Sequence, residues 1–188
     1  SGFFGTTATR LLRKCPCPVL VLRPDAPHND VKRVVGAVSA LPEDELHTKL
    51  NGQVVDLATQ AAANNRPDII SAWSIYGESI LKSHMQAGEF EELQEQTARH
   101  AKQKLDEVIT EFDMRVGDDN VHVLHNEPGT IIPNFVHEHQ ADLLVMGTVA
   151  RSGIAGLLTG NIAEQILDRV ECSVLAIKPE GFVSPIHL

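Results

Sequence analysis

"ADLLVMG" occupies residues 141–147. Leu143 to Met146 run apolar without alternation and end on Gly147. A strand with one wet face alternates apolar and polar residues; one that does not alternate is buried on both faces. Such a strand belongs in the middle of a parallel sheet covered by helices on both sides.

Working outward, the chain alternates between two periods. "RVVGAVS" at residues 33–39 is short, apolar and β-branched, and reads as a buried strand. Leu46, Leu50, Val54, Leu57, Ala58 and Ala61 then form one helical face, ending near "NNRPD". "DIISAWSI" at residues 68–75 is a second strand, followed by a polar stretch with Gly77 and Gly88. Residues 89–112 carry Phe90, Leu93, Thr97, Ala101, Leu105, Val108 and Phe112 at helical spacing, acidic first and basic later, as a helix dipole prefers. "VHVLH" at residues 121–125 is the third strand. After the turn "NEPGT" a helix places Ile131, Ile132, Phe135 and Val136 on one face, with Pro133 expected in its first turn, where its missing N–H costs little. Residues 141–147 are the fourth strand, a helix with Ile162, Ala163, Ile166 and Leu167 follows, and "CSVLAIK" at residues 172–178 is the fifth.

The order βαβαβαβαβ with right-handed crossovers predicts a doubly wound α/β fold with a five-stranded parallel sheet in the order 3-2-1-4-5. Residues 31–179 read as this complete unit, 25–30 as a linker and 180–188 as a tail.

Residues 1–24 repeat the end of that unit. "GTTATRLLRKCPCPVLVLRP" at 5–24 aligns without a gap on "GNIAEQILDRVECSVLAIKP" at 160–179, every pair 155 positions apart. Gly5 meets Gly160, Leu12 meets Leu167, Cys17 meets Cys172 and Leu20 meets Leu175. Residues 1–24 therefore read as the closing helix and strand of a preceding copy.

Composition narrows the function. The formal charge is −9, from 25 acidic and 16 basic residues, which argues against a nucleic-acid binder. No apolar run approaches the ~18 residues of a membrane span, and no signal-peptide pattern opens the chain, so a cytoplasmic protein is expected. Cys15, Cys17 and Cys172 are too few for a disulfide framework and read as small hydrophobes in a reducing compartment. Nine histidines invite a metal, but His122 and His125 fall on opposite faces of a strand, and His137 and His139 point apart on a helix. No P-loop and no G-x-S-x-G nucleophile motif is present, and no catalytic residue is assigned.

At "LLVMGTVARSGIAGLLTGNIAEQIL" and the terminal "VLAIKP" the chain resembles the universal stress protein family, and two domains in one chain, with the tail "PEGFVSPI", are similar to its tandem-domain, E-type members. The resemblance covers residues 31–179. It implies stress-linked regulatory roles, domains paired through their last strands, and ATP binding in some members. The family's nucleotide motif, G-x2-G-x9-G-(S/T), falls here on Gly147, Ala150, Gly160 and Asn161. Thr148 and Arg151 lie within it, and Ser39 stands where ATP-binding members carry an acid. Glycines in such a loop let backbone approach phosphate, and the last opens a helix whose free N–H groups attract anions. Ala150 puts a methyl in that path, Asn161 still caps, and Arg151 attracts an anion. The resemblance therefore implies a regulatory domain that acts through domain pairing and a small-molecule ligand, with an ATP-binding domain of slow or no hydrolysis as the alternative reading.

Three structural expectations follow. Val19, Leu20, Val21 and Leu22 pair antiparallel with Val174, Leu175, Ala176 and Ile177. A second universal stress domain, supplied by a homodimer, covers the other side of this strand. Residues 148–159 form the least ordered loop when no ligand is bound, because Gly153 and Gly156 free its backbone.

Overall fold

The computed structural model describes residues 6–24, 31–40, 45–148 and 161–184. Its elements in chain order are α1 (Thr6–Lys14), β1 (Val19–Val21), β2 (Val34–Ser39), α2 (Glu45–Ala62), β3 (Asp68–Trp73), α3 (Glu78–His84), α4 (Ala87–Ile109), β4 (Val121–His125), α5 (Pro128–Glu138), β5 (Leu143–Gly147), α6 (Asn161–Leu167) and β6 (Ser173–Ile177). A 3-10 turn at Thr110–Phe112 closes α4.

One six-stranded sheet runs in the order β1-β6-β5-β2-β3-β4. Strands β2 to β6 are parallel to one another, and their own order is 3-2-1-4-5, as read from the sequence. β5 lies between β2 and β6, which accounts for its apolar run. β1 joins antiparallel at the β6 edge, so the sheet is mixed rather than purely parallel.

Alternate residues divide the core into two layers. Val35, Ala37, Ile70, Ala72, Leu144, Met146, Val174 and Ala176 face α5 and α6, and α1 inserts Leu12 into the same layer. Val34, Val38, Ile69, Leu143, Val145 and Ile177 face α2 and α4. A third cluster, around Trp73, Ile75, Phe90 and Ala101, closes the β3 end.

The structure corrects three readings. The buried face of α2 comprises Leu50, Asn51, Val54, Val55, Ala58 and Ala62, while Leu46 is exposed. The straight four-residue row from Leu50 to Ala62 meets the sheet, and the first turn lies beyond its rim. The stretch after Gly77 forms α3, whose residues show no apolar period because none is buried. Finally, α5 begins at Pro128, so Pro133 sits inside the helix rather than in its first turn. Pro133 cannot donate to the carbonyl of Gly129, four residues back. Arg169 Nη1 donates to that carbonyl instead, at 3.2 Å, and to Thr130 Oγ1 at 3.3 Å. Gly129 has no Cβ because one would stand 3.0 Å from Gln165 Cβ, so α5 and α6 pack in close approach there.

Candidate functional site

In doubly wound sheets the strand order reverses where neighbours diverge, and ligands bind beyond the C-terminal strand ends at that point. Here the reversal falls between β2 and β5. Their pairing ends at Ala37 and Met146, whereas β2 continues to pair with β3 as far as Ser39 and Ala72. The two strands therefore part beyond Ala37 and Met146, where Ser39, Gly147 and Thr148 follow.

The chain's own side chains occupy much of the polar edge there. The Asn51 carboxamide from α2 accepts from the Ser39 N–H at 2.9 Å and donates to the Ser39 carbonyl at 3.0 Å. It takes the place of a strand neighbour where β5 has left, and Asn51 is buried by doing so. Leu50 lies against Gly147: a Cβ there would meet Leu50 Cγ at 3.0 Å. A side chain at position 147 would therefore displace Leu50.

Thr148 is fully buried and turned toward β6. Its N–H donates to the Ile177 carbonyl at 3.0 Å, and its hydroxyl donates to the same carbonyl at 3.3 Å. Lys178 Nζ donates to the Thr148 carbonyl at 2.8 Å and to Thr148 Oγ1 at 2.7 Å. The ammonium also lies 5.1 Å from the centre of the Phe182 ring. Burial pushes the Lys178 amine down to about 8. A positive charge is thus stored at the root of the candidate phosphate loop.

Sequence reasoning missed both Asn51 and Lys178. Each lies inside an apolar pattern, and a polar residue on a buried face was the available signal. Of the other candidate residues, Asn161 is the first residue of α6. Ala150, Arg151 and Gly160, and with them residues 149–159 of the loop expected at 148–159, lie outside the described residues.

The second candidate site is the seam between β1 and β6. Val19 pairs with Ala176, Leu20 with Leu175 and Val21 with Val174. Leu22 and Ile177 lie beyond this ladder; Ile177 pairs with Gly147 instead. Leu20 and Leu175 are equivalent positions of the internal repeat, and the flanking pairs exchange equivalents: Val19 matches Val174 and Val21 matches Ala176. The seam therefore has local two-fold symmetry, the signature of an isologous contact. Beyond it, Arg23 N–H donates to Ser173 Oγ and Arg23 Nε to the Glu171 carbonyl, each at 3.1 Å.

The two histidines of β4 are held by neighbouring side chains. His122 meets Asp68 at 2.9 Å on the α5 side, and its ring is tilted against Phe135. His125 meets Glu78 at 3.0 Å and Gln94 at 3.2 Å on the opposite side, stacked on Trp73. Among the described residues no group of three or more His, Cys, Asp or Glu side chains is placed to hold a metal ion. Only Cys172 is buried like a hydrophobe; Cys15 is half-buried and Cys17 exposed.

The fold is that of a doubly wound α/β protein whose central strands, β2 and β5, part at their C-terminal ends. The family model described as Universal stress protein family matches residues 52–178, and the chain belongs to that family. It is 31% identical over 185 residues to universal stress protein E of Photorhabdus laumondii, covering 94% of this chain and 56% of the relative. With universal stress protein E of Escherichia coli K12 the identity is 28%, covering 98% of this chain and 58% of the relative. The chain thus spans little more than half the length of these relatives. A crystal structure of a putative universal stress protein from Pseudomonas aeruginosa UCBPP-PA14 superposes with a TM-score of 0.72 at 26% identity, covering 95% of this chain and 58% of the other. A functionally unknown protein from Pseudomonas aeruginosa PAO1 superposes with a TM-score of 0.74 at 27% identity, covering 94% and 57%. Among the described residues, no helix is long and apolar enough to cross a membrane.

Proposed function

We propose that the chain is a regulatory, non-enzymatic stress-response domain of the cytoplasm that acts by pairing two universal stress units along their last strands. The symmetric register centred on Leu20 and Leu175 carries this reading. On it, residues 1–24 are the closing helix and strand of a first unit, 25–30 a linker, 31–179 the second unit and 180–188 its tail. The outer side of α1 and β1 exposes Leu11, Leu20 and Leu22 at 49%, 52% and 49%, whereas Ile166 and Ile177, equivalent to Leu11 and Leu22, are 2% exposed. In the complete unit the strand and helix beside β6 cover those positions. A second universal stress domain, in a homodimer or in a longer chain, supplies the same cover here. Light scattering after size exclusion tests this. A dimer that Leu11→Glu, Leu22→Glu dissociates is the expected result; a monomer at tens of micromolar counts against the homodimer.

The alternative reading, a nucleotide-binding domain with slow hydrolysis or none, draws support from Gly147 and from the Lys178 charge under Thr148. Against it, Asn51 already holds the main-chain edge of Ser39. Isothermal titration with ATP–Mg separates the two: no heat at millimolar ATP agrees with the pairing reading, and a micromolar dissociation constant would reverse the preference.

A further inference from the structure

The bend between α1 and β1 holds Cys15-Pro16-Cys17. The Sγ atoms of Cys15 and Cys17 lie 3.0 Å apart, within reach of an S–H···S hydrogen bond, and both thiols are free. Closing a disulfide needs an approach of about 1 Å more. The Cys15 N–H is bonded to the Leu11 carbonyl at 2.9 Å, which anchors one thiol to the end of the helix. Pro16 has a fixed φ, which limits how far the two sulfurs can separate.

We infer that Cys15 and Cys17 form a redox-active dithiol that exchanges with small-molecule disulfides. The Cys15 thiolate attacks one sulfur of an external disulfide RS–SR. A Cys15–SR bond forms, the RS–SR bond breaks, and the first RS⁻ leaves and takes up the proton that Cys15 gave up. The Cys17 thiolate then attacks the Cys15 sulfur and expels the second RS⁻, which takes the Cys17 proton. Two cysteine thiols and one RS–SR become one Cys15–Cys17 disulfide and two RSH. The assignment of roles follows the local electrostatics. The hydrogen bond with Cys17, helped by the charge of Lys178, lowers the Cys15 thiol, and the same hydrogen bond raises Cys17. A lowered thiol is the better attacker, and a ring closed over so few atoms favours reversal over permanence.

The setting matters as much as the spacing. Val170 and Cys172, equivalent to Cys15 and Cys17 in the complete unit, are both buried, and burial pushes the Cys172 thiol up to about 11. The dithiol therefore depends on the exposure that the bend between α1 and β1 has here. This claim rests on the geometry of the bend and not on the pairing reading, which light scattering tests separately.

The experiment treats the reduced 188-residue chain with oxidised glutathione at neutral pH and follows intact mass. The expected product is lighter by two hydrogens, carries no glutathione, and shows Cys15 and Cys17 joined in one proteolytic peptide. Cys15→Ser and Cys17→Ser should each accumulate a stable glutathione adduct, because neither retains a resolving thiol. Cys172 remains unmodified throughout and reports that each variant is folded. A wild-type chain that retains glutathione, stays fully reduced, or links to a second chain would overturn the inference.

Discussion

At the scale of single residues, this protein places polar groups where they are costly and then uses neighbours to offset the cost. Lys178 is the clearest case. Its amine falls to about 8 in the folded chain against 10.5 for a free lysine. Between those values the unfolded chain keeps a proton that the folded chain has lost, so stability rises with pH. Cys172 acts oppositely: raised from 9.0 to about 11, it keeps its proton in the folded chain, and stability falls across that window. Urea midpoints should therefore rise from pH 8 to 9 in the wild type. Lys178→Met should abolish the rise and leave only the decline above pH 9. Ser71 has no compensation: its hydroxyl is fully buried in β3 with no partner among the described residues. Ser71→Ala should raise stability by about 1 kcal/mol in denaturant titrations, since a buried unpaired hydroxyl costs that much or more.

At the scale of elements, α5 shows how a local rule is broken and repaired. Pro133 removes the bond to the Gly129 carbonyl, and Arg169, from the turn after α6, restores a donor. The two residues are therefore coupled. Arg169→Ala should cost about 1 kcal/mol in the wild-type background and distinctly less in Pro133→Ala, where the helix can supply its own N–H. Equal costs in both backgrounds, measured by a double-mutant cycle, would show that Arg169 serves Thr130 alone. The strands were easier to anticipate than the helices that flank them. β4 matches its sequence reading residue for residue, because burial and β-branching mark a strand directly. α3 left no mark because none of its residues is fully buried, and the start of α5 was misplaced because "NEPGT" has the composition of a turn.

At the scale of the whole molecule, β1 extends a complete parallel sheet by one antiparallel strand and shields the β6 edge. That strand is short, and Val19 and Val21 are only half-buried against the core. It should open before the rest of the sheet does. Val19→Asp should speed amide exchange at Val174 and Ala176, whose N–H groups face β1, by roughly tenfold or more while β2 and β3 keep their protection. Uniform acceleration across the sheet would instead make β1 part of one cooperative unit.

Composition and period alone determined that this is a doubly wound α/β chain with β5 at its centre, because burial on both faces forces an unbroken apolar run. The repeat 155 positions apart was equally legible, since identity along a chain needs no coordinates. Only the tertiary structure showed that the repeat meets its copy at Leu20 and Leu175, because the register of an edge is set by contacts between distant segments. It alone placed Asn51 on Ser39 and Lys178 on Thr148. Those side chains answer to main-chain groups left unpaired where strands diverge, and a hydrophobic pattern does not record where that happens.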